Sequence, residues 1–398
     1  MKFEFSSEDE AFRLEVRRFM AANVPPDVAL DTRRWVNPTM DRFRRWQGIL
    51  AAQGWGAPHW PAEFGGTGWD PFRKHIFMQE LYRADAPDYG WQGLHMMGPV
   101  VIAYGSPEQQ ARFLPKMLTG EEIWTQGFSE PGAGSDLANL RTAATLQGGE
   151  YVVQGQKMWT SDAVDCDWGF FLVRTDPSVK PQRGLSFLAI KLDTPGLTIR
   201  PIPTFDGRQE LNEVFLDAVR VPRANLIGEP GQGWTYAKYL LEKERTASAF
   251  LYFNQRQFQK AKAIASQLQQ DGSRVIDTPS FENKLAVVEA DLLALEWSVL
   301  RILAREKNKY DMNAVVSALK VRGSEMQQRV TGLMVDALGP LALRAFEPHA
   351  LEADSHADGW PELAIGVTSN FLHDRAATIY GGAREVQKNI IAKAAFGL

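Results

Sequence analysis

Apolar positions along the chain follow two different periods, and the switch between them divides it. Near the start Phe12, Val16 and Phe19 recur at three- and four-residue steps behind Ser6 or Ser7, either of which can cap a helix. After the Pro- and Gly-dense loop "WGAPHWPAEFGGTGWDP" (55–71), helical patterning resumes in "KHIFMQELYRA". From about residue 121 the period shortens. "YVVQGQKMW", "WGFFLVRT", "GLSFLAIKL" and "NEVFLDAVRVP" are β-branched or aromatic runs separated by Gly, Pro and Asp, which predicts an antiparallel barrel or sandwich. "LIGEPGQGW" (226–234) closes that segment, and helical patterns return over 233–270, 280–309, 311–338 and 369–396. Helices of that length predict a four-helix bundle. The acidic, His-containing stretch "EPHALEADSHADGWPE" (347–362) reads as a loop between the last two.

The expectation is therefore an α+β chain of three domains: an N-terminal all-α domain (1–120), a middle antiparallel β domain (121–230) and a C-terminal bundle (231–398). A length of 398 residues is more than one hydrophobic core usually holds, in keeping with that division.

One position breaks the helical pattern. On the predicted 233–270 helix, Trp234, Ala237, Leu241, Glu244, Ser248 and Leu251 share a face, and all but Glu244 are apolar or small. A carboxylate on a core-facing stripe is costly unless it is paired or used.

Composition narrows the partners. The formal net charge is −4, which argues against nucleic acid or an anionic membrane surface. The cluster Arg33, Arg34, Arg42, Arg44 and Arg45 is broken up by Asp31 and Asp41 and reads as a solvated face. A single cysteine, Cys166, allows no internal disulfide and fits a reducing compartment; between Asp165 and Asp167 it is a poor nucleophile. Acidic residues in "MKFEFSSEDEAFRLEVRRFM" do not suit a secretory signal, and no run approaches 18 uninterrupted apolar residues, so a cytoplasmic protein is expected.

Candidate chemistry lies elsewhere than in metal ligands. The six histidines show no zinc-type spacing, and His349, Glu352, Asp354, His356 and Asp358 read as a solvated loop, so no metal is expected. "GGTG" (65–68) and "GEPGQG" (228–233) read as turns. "SEPGAGSD" (129–136) is more suggestive: its glycines let backbone N–H groups converge on an anion or a ring edge, and Ser129 and Ser135 add hydroxyl donors. In "KMWTSDA" (157–163), the Trp159 indole beside Thr160 and Ser161 either fills a core or packs on a planar ligand and bonds its edge.

Taken together, "GFSEPGAGSD" (127–136), "GQKMWTS" (155–161), "VRVPRANLIGEPGQGW" (219–234) and "IYGGAREVQKNIIA" (379–392) resemble the acyl-CoA dehydrogenase family, in its order and over the whole chain. The resemblance implies FAD between the β domain and the bundle. Phe128, Ser129, Gly134 and Ser135 match its flavin-edge loop, Trp159 its indole against the flavin, and Ser161 the hydroxyl near N5. Thr160, Glu385 and Gln387 also match cofactor-binding positions, and Ser135, Arg245 and Tyr380 match substrate-binding ones. It further implies an acyl-CoA thioester substrate oxidised to the trans-2-enoyl-CoA, with an electron-transfer flavoprotein as acceptor.

Much of the family carries its catalytic carboxylate directly after the tyrosine of the last motif. Here that residue is Gly381, which has no carboxylate. A second branch, similar to the isovaleryl- and long-chain-type enzymes, carries the base on a bundle helix before an arginine, and Glu244–Arg245 matches that arrangement. Gly381 then keeps the family's backbone N–H toward the thioester oxygen. A structural ion pair that stitches helices together is the alternative.

Three departures stand out. The family's Arg-x-x-Phe-Gly stretch is replaced by "DGSRVIDTPSFENK", its Gly-Gly-x-Gly by "LGPLAL" (338–343), and a hydroxyl residue by Ala383. The losses fall on the FAD half that a neighbouring subunit supplies, which suggests a heterotetramer resembling the two-gene dehydrogenases of steroid side-chain, ring-fragment or dicarboxylic CoA esters. A homotetramer that has drifted remains open, as do an oxygen-using flavoenzyme and a catalytically silent FAD- or CoA-binding partner subunit.

Overall fold

The computed structural model describes residues 4–35, 39–88, 90–243, 249–270, 272–304, 312–343 and 362–398. Six helices form the first domain: α1 (Ser7–Asn23), α2 (Pro26–Arg34), α3 (Met40–Ala52), α4 (Pro71–Arg83), α5 (Gly98–Tyr104) and α6 (Pro107–Thr119). A π-helical turn, Trp91–Met97, runs directly into α5. Ser6 caps α1 in a reciprocal box with Asp9, and Ser106 does the same for α6 with Gln109, so the first orphan N–H groups of both helices are satisfied locally. Phe12, Val16 and Met20 of α1 are buried; Phe19 is half-buried against Trp55.

The middle domain is one eight-stranded sheet: β1 (Trp124–Gly127), β2 (Ala143–Gln147), β3 (Glu150–Ser161), β4 (Trp168–Arg174), β5 (Leu185–Lys191), β6 (Leu197–Ile202), β7 (Leu211–Pro222) and β8 (Leu226–Ile227). The order is β6-β7-β3-β2-β4-β5-β8, with β1 beside β4. All four predicted runs are strands. Pairing is antiparallel except where β1 and Ala143 of β2 meet β4 in parallel. Strand β4 explains why its sequence is apolar without alternation. Phe171 and Val173 face the sheet's inner core, while Trp168, Phe170 and Leu172 pack with Trp124 of β1 and with Trp60, Met97 and Phe113 of the helical domain.

In the C-terminal domain α7 (Gly233–Lys243), α8 (Leu251–Gln267), α9 (Pro279–Leu303), α10 (Met312–Leu338), α11 (Val367–His373) and α12 (Arg384–Phe396) follow in order. Helix α10 is the centre: α8, α9, α11 and α12 all pack against it.

Two predicted helices are interrupted. The 233–270 helix is not continuous, because Phe250 is left-handed (φ 49°) and separates α7 from α8. The cause is a close crossing: a Cβ on Gly323 of α10 would stand 2.2 Å from the Ala249 carbonyl oxygen. The single apolar stripe from Trp234 to Leu251 is thus divided between two helices, and the side chains of Leu241, Glu244, Arg245 and Ser248 lie outside the described residues. The 369–396 helix is also split. A turn holds Tyr380, with Gly381 and Gly382 at φ 62° and 94°, and α12 begins only at Arg384.

The arginine cluster is a solvated face only in part: Arg45 is exposed, whereas Arg34 is buried. Buried Arg34 makes two 3.0 Å bonds to Glu362, and Arg42 donates to buried Asp31 at 3.0 Å. The first pair joins α2 to the C-terminal domain and the second joins α3 to α2, and burial in both requires partners for the charge. The predicted loop 347–362 lies outside the described residues apart from Glu362, as do residues 305–309 of the predicted 280–309 helix.

Candidate functional site

Strand β3 ends in an irregularity that prepares the site. Its pairing with β7 slips between Lys157 and Thr160, and Trp159 in the gap is left-handed at φ 63°. A bulky L-residue there is strained by about 1–2 kcal/mol. The strain turns the indole outward, where it is 51% exposed instead of filling a core. On either side the chain is clamped. Asn212 Nδ2 donates to the Thr160 carbonyl at 2.9 Å, Thr125 Oγ1 to the Ser161 carbonyl at 2.5 Å, and Asp162 N to the Glu210 carbonyl at 2.6 Å.

The loop 129–136 is tied to the same strand from beneath. Met158 N donates to the Ser129 carbonyl at 2.9 Å. Lys157 is fully buried and uses all three ammonium protons: Phe128 O at 3.0 Å, Glu130 Oε1 at 2.8 Å and Leu172 O at 2.7 Å. Glu130 also accepts from the N–H groups of Arg141 and Thr142. Burial lowers Lys157 to about 8, opposed by Glu130; burial pushes Glu130 upward, but Lys157 and the two backbone donors win and hold it below the usual range. This anchor leaves Gly134, Ser135 and Asp136 exposed, with open space beside Gly132 and Gly134, while Phe128 and Ser129 are half-buried. Strand β3 therefore brings together Phe128, Ser129, Trp159, Thr160 and Ser161, with Gly134 and Ser135 on the attached loop. Thr160 differs from the rest: it is buried, and its Oγ1 has no hydrogen-bond partner among the described residues.

Lys157 and Glu130 were not singled out in the sequence, yet a signal was present. Lys157 has the same strand parity as Tyr151, Val153 and Gly155, so alternation alone places it inward.

A second cluster forms around the turn before α12. Tyr380 faces Phe250 (6.4 Å between ring centroids) and His373 (6.2 Å), and burial together with the charge of Asp374 raises its hydroxyl above the ordinary value. Lys320 of α10 is buried beside it. Its Nζ lies 4.6 Å from the Phe250 centroid and 4.9 Å from that of Tyr380, and donates to Ala377 O at 3.1 Å. Burial lowers it to about 8. Gly381 is exposed, and a side chain there would first meet Lys320 Nζ, at 3.6 Å. Glu385 is exposed and paired with Arg384, and Gln387 Nε2 packs where a Cβ on Gly382 would stand. Glu244 and Arg245 fall between Lys243 and Ala249, outside the described residues.

The segment 204–212 joins the two clusters. Asp206 is buried, accepts from Arg208 Nε at 2.8 Å and lies 3.4 Å from His373 Nδ1; its backbone carbonyl accepts from Ser369 Oγ at 2.7 Å. Burial would raise its carboxyl, but His373 and Arg208 hold it far below the usual range. Four residues on, the Glu210 backbone carbonyl accepts from the N–H of Asp162, next to Ser161.

Burial, then Asp162, Asp165 and Asp167, push the Cys166 thiol well up, which disfavours the thiolate. Among the described residues no group of three His, Cys, Asp or Glu could hold a metal ion, and no helix is long and apolar enough to cross a membrane.

Family models of the acyl-CoA dehydrogenase N-terminal domain, middle domain and C-terminal domain match residues 6–121, 125–219 and 231–396. The chain belongs to the acyl-CoA dehydrogenase family and is an oxidoreductase acting on acyl-CoA. It is 35% identical over 395 residues to acyl-CoA dehydrogenase IpdE1 of Mycobacterium tuberculosis, covering 98% of this chain and 97% of that one. Among solved structures it resembles the ChsE4-ChsE5 complex from Mycobacterium tuberculosis (30% identity, TM-score 0.83, covering 100% and 99% of the two chains). It also resembles the Tcur3481-Tcur3483 steroid ACAD (26% identity, TM-score 0.85, with the same coverage).

Proposed function

We propose that this chain is an FAD-dependent acyl-CoA dehydrogenase that converts an acyl-CoA thioester to the trans-2-enoyl-CoA. The observation that carries the cofactor assignment is Trp159: a large indole held outward at a strained backbone angle, beside a Gly-rich loop with open space, is suited to lie against a planar ring. Phe128, Ser129, Gly134, Ser135, Trp159 and Ser161 would hold the flavin ring, and Glu385 and Gln387 its remainder. Thr160 supports the ring indirectly, through its clamped backbone. The bound FAD supplies the acceptor for the substrate's β-hydrogen.

The chain's own part is to acidify and remove the α-proton. Glu244 is the base, since Gly381 offers no carboxylate, and Arg245 orders it. The Gly381 N–H serves the thioester oxygen, and Tyr380 lines the acyl site. Gly381 is exposed and has a positive φ that suits glycine, in keeping with a backbone role.

The working form is a tetramer, and we favour a heterotetramer in which a paralogous chain supplies FAD contacts missing here. Support comes from the replaced stretches at 271–284 and 338–343, from half-exposed Val287, Leu293 and Trp297 on α9, and from two similar structures that are two-chain assemblies by name. A steroid-derived acyl group and electron transfer to an electron-transfer flavoprotein complete the reading.

The test is Glu244→Gln in the flavin-loaded protein. Flavin bleaching by acyl-CoA should slow at least about a hundredfold, the usual scale for a general base, with flavin content unchanged. Near-normal bleaching in that variant sinks the base assignment. A panel of straight-chain, dicarboxylyl and steroid CoA esters identifies the acyl group, and native mass with and without the paralogue settles the assembly.

A further inference from the structure

Lys320 has no role in the scheme above, yet it is the side chain nearest to the position that scheme turns on. It projects from the central helix α10 into a buried slot between Phe250 and Tyr380, and one carbonyl, Ala377 O, accepts from it at 3.1 Å. Its Nζ stands 3.6 Å from the point where a side chain would leave Gly381, and among the described residues no other side chain comes within 4 Å of that point. A Lys placed merely to cap a carbonyl does not need two aromatic faces around its ammonium. The rings screen the charge from water without neutralising it, which lengthens its reach. Phe250 is also the N-cap residue of α8, so the start of that helix is set against this ammonium.

We propose that Lys320 is a positioning residue whose fixed positive charge, set beneath the Tyr380–Gly381 turn, stabilises the anion formed when the thioester loses its α-proton. The inference rests on the dehydrogenase reading. In the step concerned the α C–H bond breaks, its electron pair delocalises onto the thioester oxygen, and the proton passes to the base. Negative charge thus develops at the oxygen that the Gly381 N–H holds, within electrostatic reach of the ammonium beneath the turn. A unit charge about 6 Å away at an effective dielectric near 20 shifts such an equilibrium by at least tenfold. Among the described residues Asp374, Glu210 and Arg208 are the charged groups that act on Tyr380 at this turn, and burial, which brings Lys320 to about 8, leaves it protonated at neutral pH.

The test uses the FAD-loaded protein and 3-thiaoctanoyl-CoA. Sulfur at carbon 3 lets this ligand lose its α-proton but not a β-hydride, so the anion accumulates and is read by a long-wavelength absorbance band against the oxidised flavin. In Lys320→Met the pH midpoint of the band should rise by at least about one unit, roughly tenfold less anion at fixed pH, while Lys320→Arg stays near the parent. Lys320→Gln keeps a donor to Ala377 O without the charge and should shift like Met; it also serves if Met fails to retain flavin. A midpoint unmoved in both Met and Gln, or restored by Gln, overturns the proposal. A parent protein that binds flavin, gives no band and is bleached by none of the straight-chain, dicarboxylyl or steroid CoA esters refutes the dehydrogenase reading itself, and this inference with it.

Discussion

Replacing Lys157 by Met tests whether the flavin loop is held from below as argued. The change removes an ammonium with three bonds of 2.7–3.0 Å and leaves Glu130 buried with its countercharge gone. Breaking a buried pair by deleting one member costs about 3–5 kcal/mol. Glu130 keeps the Arg141 and Thr142 N–H bonds, which favours the lower end. The Phe128 and Leu172 carbonyls each lose a partner, at about 1–3 kcal/mol for a buried acceptor left bare, which moves the total back up. A drop of roughly 10 °C in melting temperature follows at about 2–4 °C per kcal/mol. Thermal scans and absorbance-based flavin content measure both consequences. The Lys157→Met/Glu130→Gln double variant should recover at least about 1 kcal/mol, because it also removes the stranded charge. A single variant that melts with the parent, or a double variant worse than the single, refutes the reasoning.

Two further outcomes are expected. Trp159→Gly should leave flavin-free protein within about 1 kcal/mol of the parent, since glycine relieves the φ 63° strain while loosening the unfolded chain, yet flavin retention should fall sharply; unfolding scans with and without FAD separate the two effects. Asp374 is buried with neither carboxylate oxygen bonded among the described residues, and burial pushes it up to about 7. The folded state therefore holds a proton that the unfolded state releases near 4, so stability contributed by this group is present at low pH and lost as pH rises from about 4 through 7. Asp374→Asn should flatten that slope in urea titrations at pH 5 and 8, and an unchanged slope counts against it.

Much of the architecture is local in origin and was legible. A period of 3.6 or 2 decides helix or strand, and Ser6 and Ser106 mark helix starts within four residues of sequence. The four strand runs, the long helix α10 and the Gly-rich loop followed from these rules. What the chain order could not carry was contact at a distance. The break at Phe250 depends on Gly323, more than 70 residues away, letting the Ala249 backbone cross at close range. Arg34 is buried because Glu362 arrives to pair with it, and Lys157 because Glu130 and two carbonyls meet it. The outward turn of Trp159 needs the slipped register against β7.

The sequence by itself determined the elements and the residue types at the candidate site, because propensity, capping and alternation act within a few residues. Only the tertiary structure decided which polar groups are buried and which chain segments meet. Those outcomes depend on partners brought together by packing, and no spacing along the chain encodes them.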